Sequence, residues 1–181
     1  AGGSRSHRAT DIARSHGRVT MNWTKLEFGK HRGRTLPQVM FCDADWFFWL
    51  HANPLPTNNN VRGSEFEEIY RKSRSIKVPQ KGDENMVAEY IVDPRNNNFR
   101  RLDLVPVSRT PHQGYSQTFR LAVIDMAKVW EIATYDKGGY QQLISDLKLY
   151  LFGSRRVRMT KQRCEAFFDD DANFVLAPAQ R

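Results

Sequence analysis

Two short runs of cationic side chains are the part of this chain best suited to chemistry with phosphate. The first run is bounded by glycines and contains Lys30, His31, Arg32 and Arg34. The second run follows Gly153 and contains Arg155, Arg156, Arg158 and Lys161. Guanidinium forks match the geometry of phosphate oxygens, and glycine lets a backbone approach a ligand closely. Both runs therefore predict contacts with the backbone of a nucleic acid.

Each run also has a plain structural explanation. The first is a solvated turn if its charges do no more than face water. The second has ion pairs as its alternative, with partners in a neighbouring chain or in the acidic stretch Asp169, Asp170 and Asp171. The helix predicted between Thr160 and these aspartates has about ten residues, so its ends lie roughly 15 Å apart. This separation disfavours pairing within the chain and leaves phosphate contact open.

Three carboxylates offer the best arrangement for hydrolysis. Glu89, Asp93 and Asp103 lie on or beside two strands that are predicted to be neighbours. Carboxylates on adjacent strands can hold Mg²⁺ for phosphodiester cleavage. A restriction-type nuclease core also needs a lysine two residues beyond an acid, but those positions hold Ile91 and Val105. Solvated carboxylates on strand faces are therefore the favoured interpretation, and we assign no catalytic residue.

The remaining chemistry-bearing residues match no site pattern. Cys42 and Cys164 lie far apart in the sequence and outside any CxxC motif, so the usual zinc spacing is absent. Both cysteines are predicted to be buried free thiols, and a disulfide between them is the open alternative. No two histidines have the i,i+4 spacing of a helical metal site, and no glycine-rich nucleotide-binding motif occurs. We therefore expect no cofactor and no metal.

An aromatic segment, 44–52, predicts a short helix that is apolar on nearly every side. Its Trp46, Trp49 and Leu50 are accordingly predicted to be core residues. Two alternatives stay open for the tryptophans: a platform on which bases stack, or anchors for a protein partner.

Local signals place these residues on secondary-structure elements in the first third of the chain. The predicted elements are a β-hairpin over 23–36, a helix over 37–41, a helix over 44–52 and a linker over 53–64. The first cationic run then lies at the hairpin tip, between Gly29 and Gly33. Pro37 suits the start of the first helix, and Asp43 suits the cap of the second.

The rest of the chain predicts a small antiparallel sheet followed by helices. The predicted elements are a helix over 65–74, strands over 86–92, 99–107 and 115–124, a helix that begins at Tyr140 and ends just before Gly153, and a helix over 161–170. Ser64 begins a capping box, and Thr160 is a suitable cap for the last helix. Residues 125–133 are apolar without a clear period and fit either a strand or a helix.

Length and composition bound the class of protein. The chain has 181 residues, of which 40% are hydrophobic, and this suffices for a packed core. A formal net charge of +8 and a pI of about 9.7 favour a nucleic-acid partner. No apolar run is long enough to span a bilayer, and arginines interrupt any signal-peptide core in residues 1–20. We expect a cytoplasmic protein with no membrane partner.

These elements predict an α+β fold: an N-terminal β-hairpin plus helices, a small central antiparallel sheet and C-terminal helices. Residues 1–20 predict either a disordered basic arm or a cloning remnant. A hairpin-helix module is expected over 21–53, and an α+β domain with a helical C-terminal third over 64–181.

Residues 26–53 resemble the small C-terminal module of exodeoxyribonuclease X-like proteins, which is also found in quorum-sensing-regulated virulence factor-like proteins. The matching residues are Phe28, Gly29, Lys30, Gly33, Arg34, Thr35, Leu36, Trp49 and Leu50. The resemblance implies a basic hairpin packed on two helices, and a structural role for Phe28, Gly29, Gly33, Leu36, Trp46, Trp49 and Leu50. It also implies a DNA-related accessory role without catalysis, because the acidic motifs of the exonuclease domain are missing.

The function expected from the sequence is therefore a non-catalytic nucleic-acid-binding accessory protein, with DNA favoured over RNA. Its small, basic character suggests an origin in a phage or another mobile element. A protein-binding adaptor that uses the helix over 44–52 is the first alternative. A divergent metal-dependent nuclease that uses Glu89 and Asp103 is the second. Clustering of the two cationic runs on one face would favour nucleic acid, and scattering would favour a protein partner.

Overall fold

The computed structural model describes residues 22–53, 63–114 and 116–176. The helices and strands in these residues are α1 (Leu36–Cys42), α2 (Ala44–Ala52), α3 (Gly63–Ser73), β1 (Ile76–Lys77), β2 (Met86–Val92), β3 (Phe99–Pro106), β4 (Gln117–Leu121), β5 (Val123–Ile124), α4 (Ala127–Ile132), α5 (Lys137–Phe152) and α6 (Lys161–Asp169). The predicted mixed α+β class is confirmed. The arm expected over 1–20 and nearly all of the linker expected over 53–64 lie outside the described residues.

The central sheet is antiparallel, with β2 between β3 and β4. Its register places Glu89 of β2 opposite Asp103 of β3 on one side and opposite Arg120 of β4 on the other. The third strand predicted over 115–124 is divided, because β5 leaves this sheet and pairs with β1. Local sequence could not indicate this division, since the pairing partner of β5 lies about 47 residues earlier in the chain.

Helix α5 and its N-cap residue cover the β3 edge of the sheet with carboxylates. The backbone N–H of Phe99 donates to Asp136 Oδ2 at 2.9 Å, and that of Leu102 donates to Asp146 Oδ2 at 3.0 Å. An uncovered edge strand would leave such N–H groups free to pair with another chain. Asp136 and Asp146 therefore accept the hydrogen bonds that these two N–H groups of β3 would otherwise make to a fourth strand.

Three helix ends follow the local signals, whereas the predicted cap Ser64 lies inside α3, which begins at Gly63. Asp43 caps α2 and Thr160 caps α6 through side-chain bonds to Trp46 N and Arg163 N, as predicted. Gly153 ends α5 in the left-handed conformation, with φ of 80°. Helix α5 begins three residues before the predicted Tyr140, because Asp136 serves as its cap. The ambiguous stretch 125–133 contains the helix α4.

The hydrophobic core is one cluster that includes residues from both sides of the predicted module boundary. From the N-terminal side come Trp23, Leu36 and Phe47, and from the other side come Tyr90 and Leu143. An aromatic group joins α1 to α6, with the rings of Phe41 and Phe167 centred 5.4 Å apart. This contact fixes α1, and with it the hairpin segment that precedes α1, against the C-terminal helices.

The predicted β-hairpin over 23–36 is reduced to a single bridge between Lys25 and Thr35. Two further backbone bonds close the segment, from Leu26 N to Arg34 O at 2.8 Å and from Gly33 N to Leu26 O at 2.7 Å. The segment is therefore a tight loop, the hairpin loop, rather than two extended strands.

Candidate nucleic-acid interface

The hairpin loop is held in place by two glycines and a tryptophan. Gly29 and Gly33 have φ of 65° and 85°, a region that side chains with a Cβ rarely adopt. At Gly29 a Cβ would also crowd Trp46, because it would lie 3.1 Å from the ring. The structural role expected for Gly29 follows from this contact.

Asp43 anchors the cations at the tip of the loop. Its Oδ2 lies 2.6 Å from Lys30 Nζ and 2.8 Å from His31 Nε2, while its Oδ1 accepts from Trp46 N at 3.4 Å. Partial burial favours a higher pKa for this carboxyl group, but the hydrogen bonds from Lys30 and His31 outweigh burial and lower the pKa. One side chain thus caps α2 and fixes the loop against that helix.

His31 is not a surface residue, contrary to its predicted contact with phosphate. It is 8% exposed, and its ring meets Trp46 edge-on with centroids 4.9 Å apart. Burial between Asp43 and Trp46 makes it a packing residue. Lys30 remains about half exposed although it pairs with Asp43.

Arg32 and Arg34 are exposed, like Lys30, and neither forms an ion pair with Asp43. Arg34 Nη1 donates to Cys42 Sγ at 2.8 Å, and Arg32 has no ion pair with any described residue. The structure adds a cation that the sequence did not indicate, because Lys137 at the start of α5 lines the same cavity as Arg34. We call Lys30, Arg32, Arg34 and Lys137 the hairpin patch.

The expectation that Trp49 is a core residue is wrong, since it is 45% exposed. Leu36 and Leu50 are buried as predicted, and Phe28 and Trp46 are partly buried. On a helix, residues three apart are neighbours, so Trp49 extends the face of α2 on which Trp46 meets the hairpin loop. A helix with apolar residues on every side must expose some of them, and only its neighbours determine which.

The cysteines differ from each other. Cys164 is buried, as predicted, and burial raises the pKa of its thiol to about 12. Cys42 is exposed at the end of α1, so its predicted burial is wrong. Both are free thiols.

The second cationic run is only partly available to a ligand. Arg155 Nη2 lies 2.8 Å from Asp146 Oδ1, and Asp146 is fully buried. The predicted phosphate contact of Arg155 is therefore replaced by an internal ion pair, with an aspartate of α5 rather than with the acidic stretch that was considered. Arg156 and Arg158 are exposed, and Lys161 lies 3.8 Å from Glu165.

The two cationic runs lie on opposite flanks of α5. Arg34 shares its cavity with Ile144, whereas Arg155 contacts Asp146. Ile144 and Asp146 are two positions apart, and on a helix with 3.6 residues per turn such positions are separated by about 200° around the axis. The two cationic runs therefore form separate surfaces, an outcome that by the criterion given above favours a protein partner. The first run is joined by Lys137 instead of by the second run.

The three carboxylates considered for hydrolysis are each engaged by arginine. Arg120 contacts Glu89 at 3.2 Å, Arg101 contacts Asp103 at 3.0 Å, and both Arg95 and Arg100 contact Asp93. Glu89 is 2% exposed and also accepts the backbone N–H of His112. In the described ranges, no group of three or more His, Cys, Asp and Glu side chains is placed to hold a metal ion.

Hydrogen bonds from Arg95 and Arg100 hold the pKa of Asp93 well below its usual range. Both oxygens of this carboxylate are occupied by donors, Oδ1 by Arg95 and Oδ2 by both arginines. Asp93 therefore fixes the turn between β2 and β3, and its oxygens are not available to a metal ion.

No described helix is both long enough and apolar enough to cross a membrane. Comparisons of the chain with protein-family models, curated proteins and solved structures found no match.

Proposed function

We propose that this protein binds nucleic acid through the hairpin patch, with the exposed ring of Trp49 as a surface on which a base stacks. The observations that carry the proposal are the exposed cations of the hairpin patch and the exposed indole of Trp49, which is one helical turn from Trp46, the residue that contacts the hairpin loop. Cations contact the phosphates of a strand, and aromatic faces contact its bases. Bases are available for stacking in single strands, and the resemblance of residues 26–53 favours DNA over RNA.

Preorganisation supports this proposal. Asp43, Trp46 and Gly29 fix the backbone of the hairpin loop, so the loop loses little conformational entropy when a strand binds. The guanidinium groups of Arg32 and Arg34 then project from a rigid base rather than from a free chain.

The test is a binding titration at several salt concentrations with single-stranded DNA, duplex DNA and single-stranded RNA. Each phosphate contact to a single strand contributes about 0.7 to the slope of log K against log salt. The double variant Arg32→Ala/Arg34→Ala should weaken binding and flatten this slope by roughly 1.4. The matched control is Lys77→Ala/Lys81→Ala, which removes two exposed charges elsewhere. Equal slopes for both variants would contradict the proposal.

A protein-binding role is the second candidate, and the exposure of Trp49 favours it as well, because tryptophans often dominate interfaces. Trp49→Ala distinguishes the two roles. If bases stack on this ring, the substitution weakens binding of single strands by about 1–3 kcal/mol and leaves the melting temperature nearly unchanged. If Trp49→Ala leaves the affinity for every oligonucleotide unaltered, Trp49 does not stack on bases, and the protein-binding role is favoured.

A further inference from the structure

A groove lies between the end of α5 and helix α6, outside the hairpin patch. Its apolar lining comes from Leu151 and Phe152 of α5 and from Ala166 and Phe167 of α6. The volume is about 460 Å³, which is large enough for a bulky side chain of a partner. None of the described residues that line this groove is acidic. We call it the α6 groove.

Positive charge lies beside the α6 groove. Four exposed cations occupy the loop before α6 and its first turn, namely Arg156, Arg158, Lys161 and Arg163. Arg163 lines the groove itself, and its Nη1 donates to the carbonyl oxygen of Arg158. Among the described residues, only Lys161 of these four has an acidic partner, Glu165 at 3.8 Å. The remaining three charges are therefore available to an acidic partner.

The loop that carries Arg156 and Arg158 is fixed before any partner binds. Ser154 holds its start, because its Oγ accepts from Arg156 N at 3.2 Å and its carbonyl oxygen accepts from Val157 N at 3.2 Å. The exposed arginines alternate with the partly buried Val157 and Met159, and Met159 packs against the hydrophobic core. Binding therefore costs little ordering of this loop.

The acids of the neighbouring stretch have other partners. Asp169 and Asp171 follow at the far end of α6, where Trp23 Nε1 donates to Asp169 at 2.9 Å and Lys72 contacts Asp171 at 2.8 Å. These acids leave the charges of Arg158 and Arg163 uncompensated.

The chain itself supplies no suitable occupant for the groove. The segments outside the described residues contain one acid, Asp11, against six arginines. A second copy of the chain has the same net charge of +8. Charge complementarity therefore points to an acidic partner of a different sequence.

We propose that the α6 groove binds an acidic segment of another protein. A large apolar side chain of that segment enters the groove, and its carboxylates pair with Arg158 and Arg163. Interfaces are commonly organised around such an anchor, with charge complementarity selecting the partner. This binding goes beyond the proposed function and does not depend on it.

A nucleic acid fits the α6 groove less well than an acidic protein segment. Phe167 is only 7% exposed, and its ring packs against that of Phe152 with centroids 5.7 Å apart. Base stacking needs an open aromatic face, which Trp49 offers at 45% exposure and Phe167 does not.

The first measurement is a selection from a phage-displayed library of random peptides, with the intact chain as the bait. The enriched peptides should combine aspartate or glutamate with a large apolar residue. The best of them, tested as a synthetic peptide by fluorescence anisotropy, should lose at least tenfold in affinity when its acids become amides and when its apolar residue becomes serine. No enrichment, or enriched peptides without acids, would overturn the proposal.

Variants assign this binding to the α6 groove. Arg158→Ala/Arg163→Ala changes two exposed side chains and should weaken binding of the peptide at least tenfold. The matched control Lys77→Ala/Lys81→Ala also removes two exposed charges and should leave the affinity unchanged. Ala166→Phe narrows the groove and should weaken binding too, but the charge variants decide the matter even if it fails to fold. Equal affinities of the two double variants would exclude the groove.

The last arm separates this proposal from nucleic-acid binding. Lys137 and Leu151 are fourteen positions apart on α5, or about 21 Å along its axis, so both surfaces can be occupied together. Arg32→Ala/Arg34→Ala should leave peptide binding unchanged, and oligo(dT) should not displace the peptide from this variant. Displacement there would assign the groove to nucleic acid and overturn the proposal. Peptide binding by a chain that binds no oligonucleotide would contradict only the proposed function.

Discussion

Asp43 illustrates how much a single residue contributes to the candidate interface. It caps α2, and it pairs with Lys30 and His31 in the hairpin loop. An asparagine can also cap a helix, so Asp43→Asn removes the ion pairs while it retains the cap. Loss of a charged hydrogen-bond partner typically costs about 1–3 kcal/mol, and we expect a decrease in unfolding free energy of that size, measured by urea denaturation at neutral pH.

The same residue gives a prediction about pH. The pKa of Asp43 is lower in the folded protein than its ordinary value. Its contribution to stability is therefore complete above about pH 4, the ordinary value for aspartate, and is lost as the pH falls through the folded pKa. The stability difference between the wild type and Asp43→Asn should shrink at acidic pH. A difference that grows on acidification would contradict the assigned ion pairs.

At the scale of the element, the decisive contact is between α5 and the edge of β3. Asp146 is fully buried and accepts from Leu102 N, Gln142 Nε2 and Arg155 Nη2. Asp146→Ala would leave a backbone N–H and a guanidinium group without their acceptor. Breaking a buried ion pair by removing one partner costs about 3–5 kcal/mol, reduced here because Arg155 is half exposed.

The measurement for this prediction is again urea denaturation, with Arg155→Ala as the companion variant. Arg155→Ala should cost less than Asp146→Ala, because Leu102 N and Gln142 still have their acceptor. Equal losses would show that the carboxylate serves the arginine alone and not the sheet edge.

Local signals predicted the elements better than they predicted the surfaces. The caps at Asp43, Thr160 and Gly153 depend on residues within one helical turn, so the sequence indicates them directly. The exposure of Trp49 and the burial of His31 depend on which elements pack beside them, and the period of a short helix or loop does not contain that information. Lys137 joined the hairpin patch for the same reason, since about 100 residues separate it from Arg34.

At the scale of the whole molecule, the excess of positive charge is unevenly placed. Several arginines lie outside the described residues, namely Arg5, Arg8, Arg14, Arg18, Arg62 and Arg181. Within the described ranges about half of the lysines and arginines form an ion pair with an acid, as Arg74 does with Asp125 and Glu131. The affinity for nucleic acid should therefore depend on both the hairpin patch and the arginines that precede Met21.

A variant with Arg5, Arg8, Arg14 and Arg18 replaced by alanine separates these two sources. If all four contact phosphate, the salt slope for single strands should fall by about 2.8, at 0.7 for each contact. The preference for a stackable single strand over duplex DNA should persist, because it depends on Trp49. Loss of that preference in this variant would place the base contacts outside the hairpin patch.

The carboxylates of α5 that satisfy the edge of β3 also couple the motions of two elements. The amides of Phe99 and Leu102 are bonded to Asp136 and Asp146, and Asp136 holds β3 through Oδ2 while it caps α5 through Oδ1. Strand and helix therefore open as one cooperative unit, although some 40 residues separate them in the chain. Amide hydrogen exchange at Phe99, Leu102 and Leu143 should accordingly proceed with a single opening free energy, and the helix would not fray before the sheet.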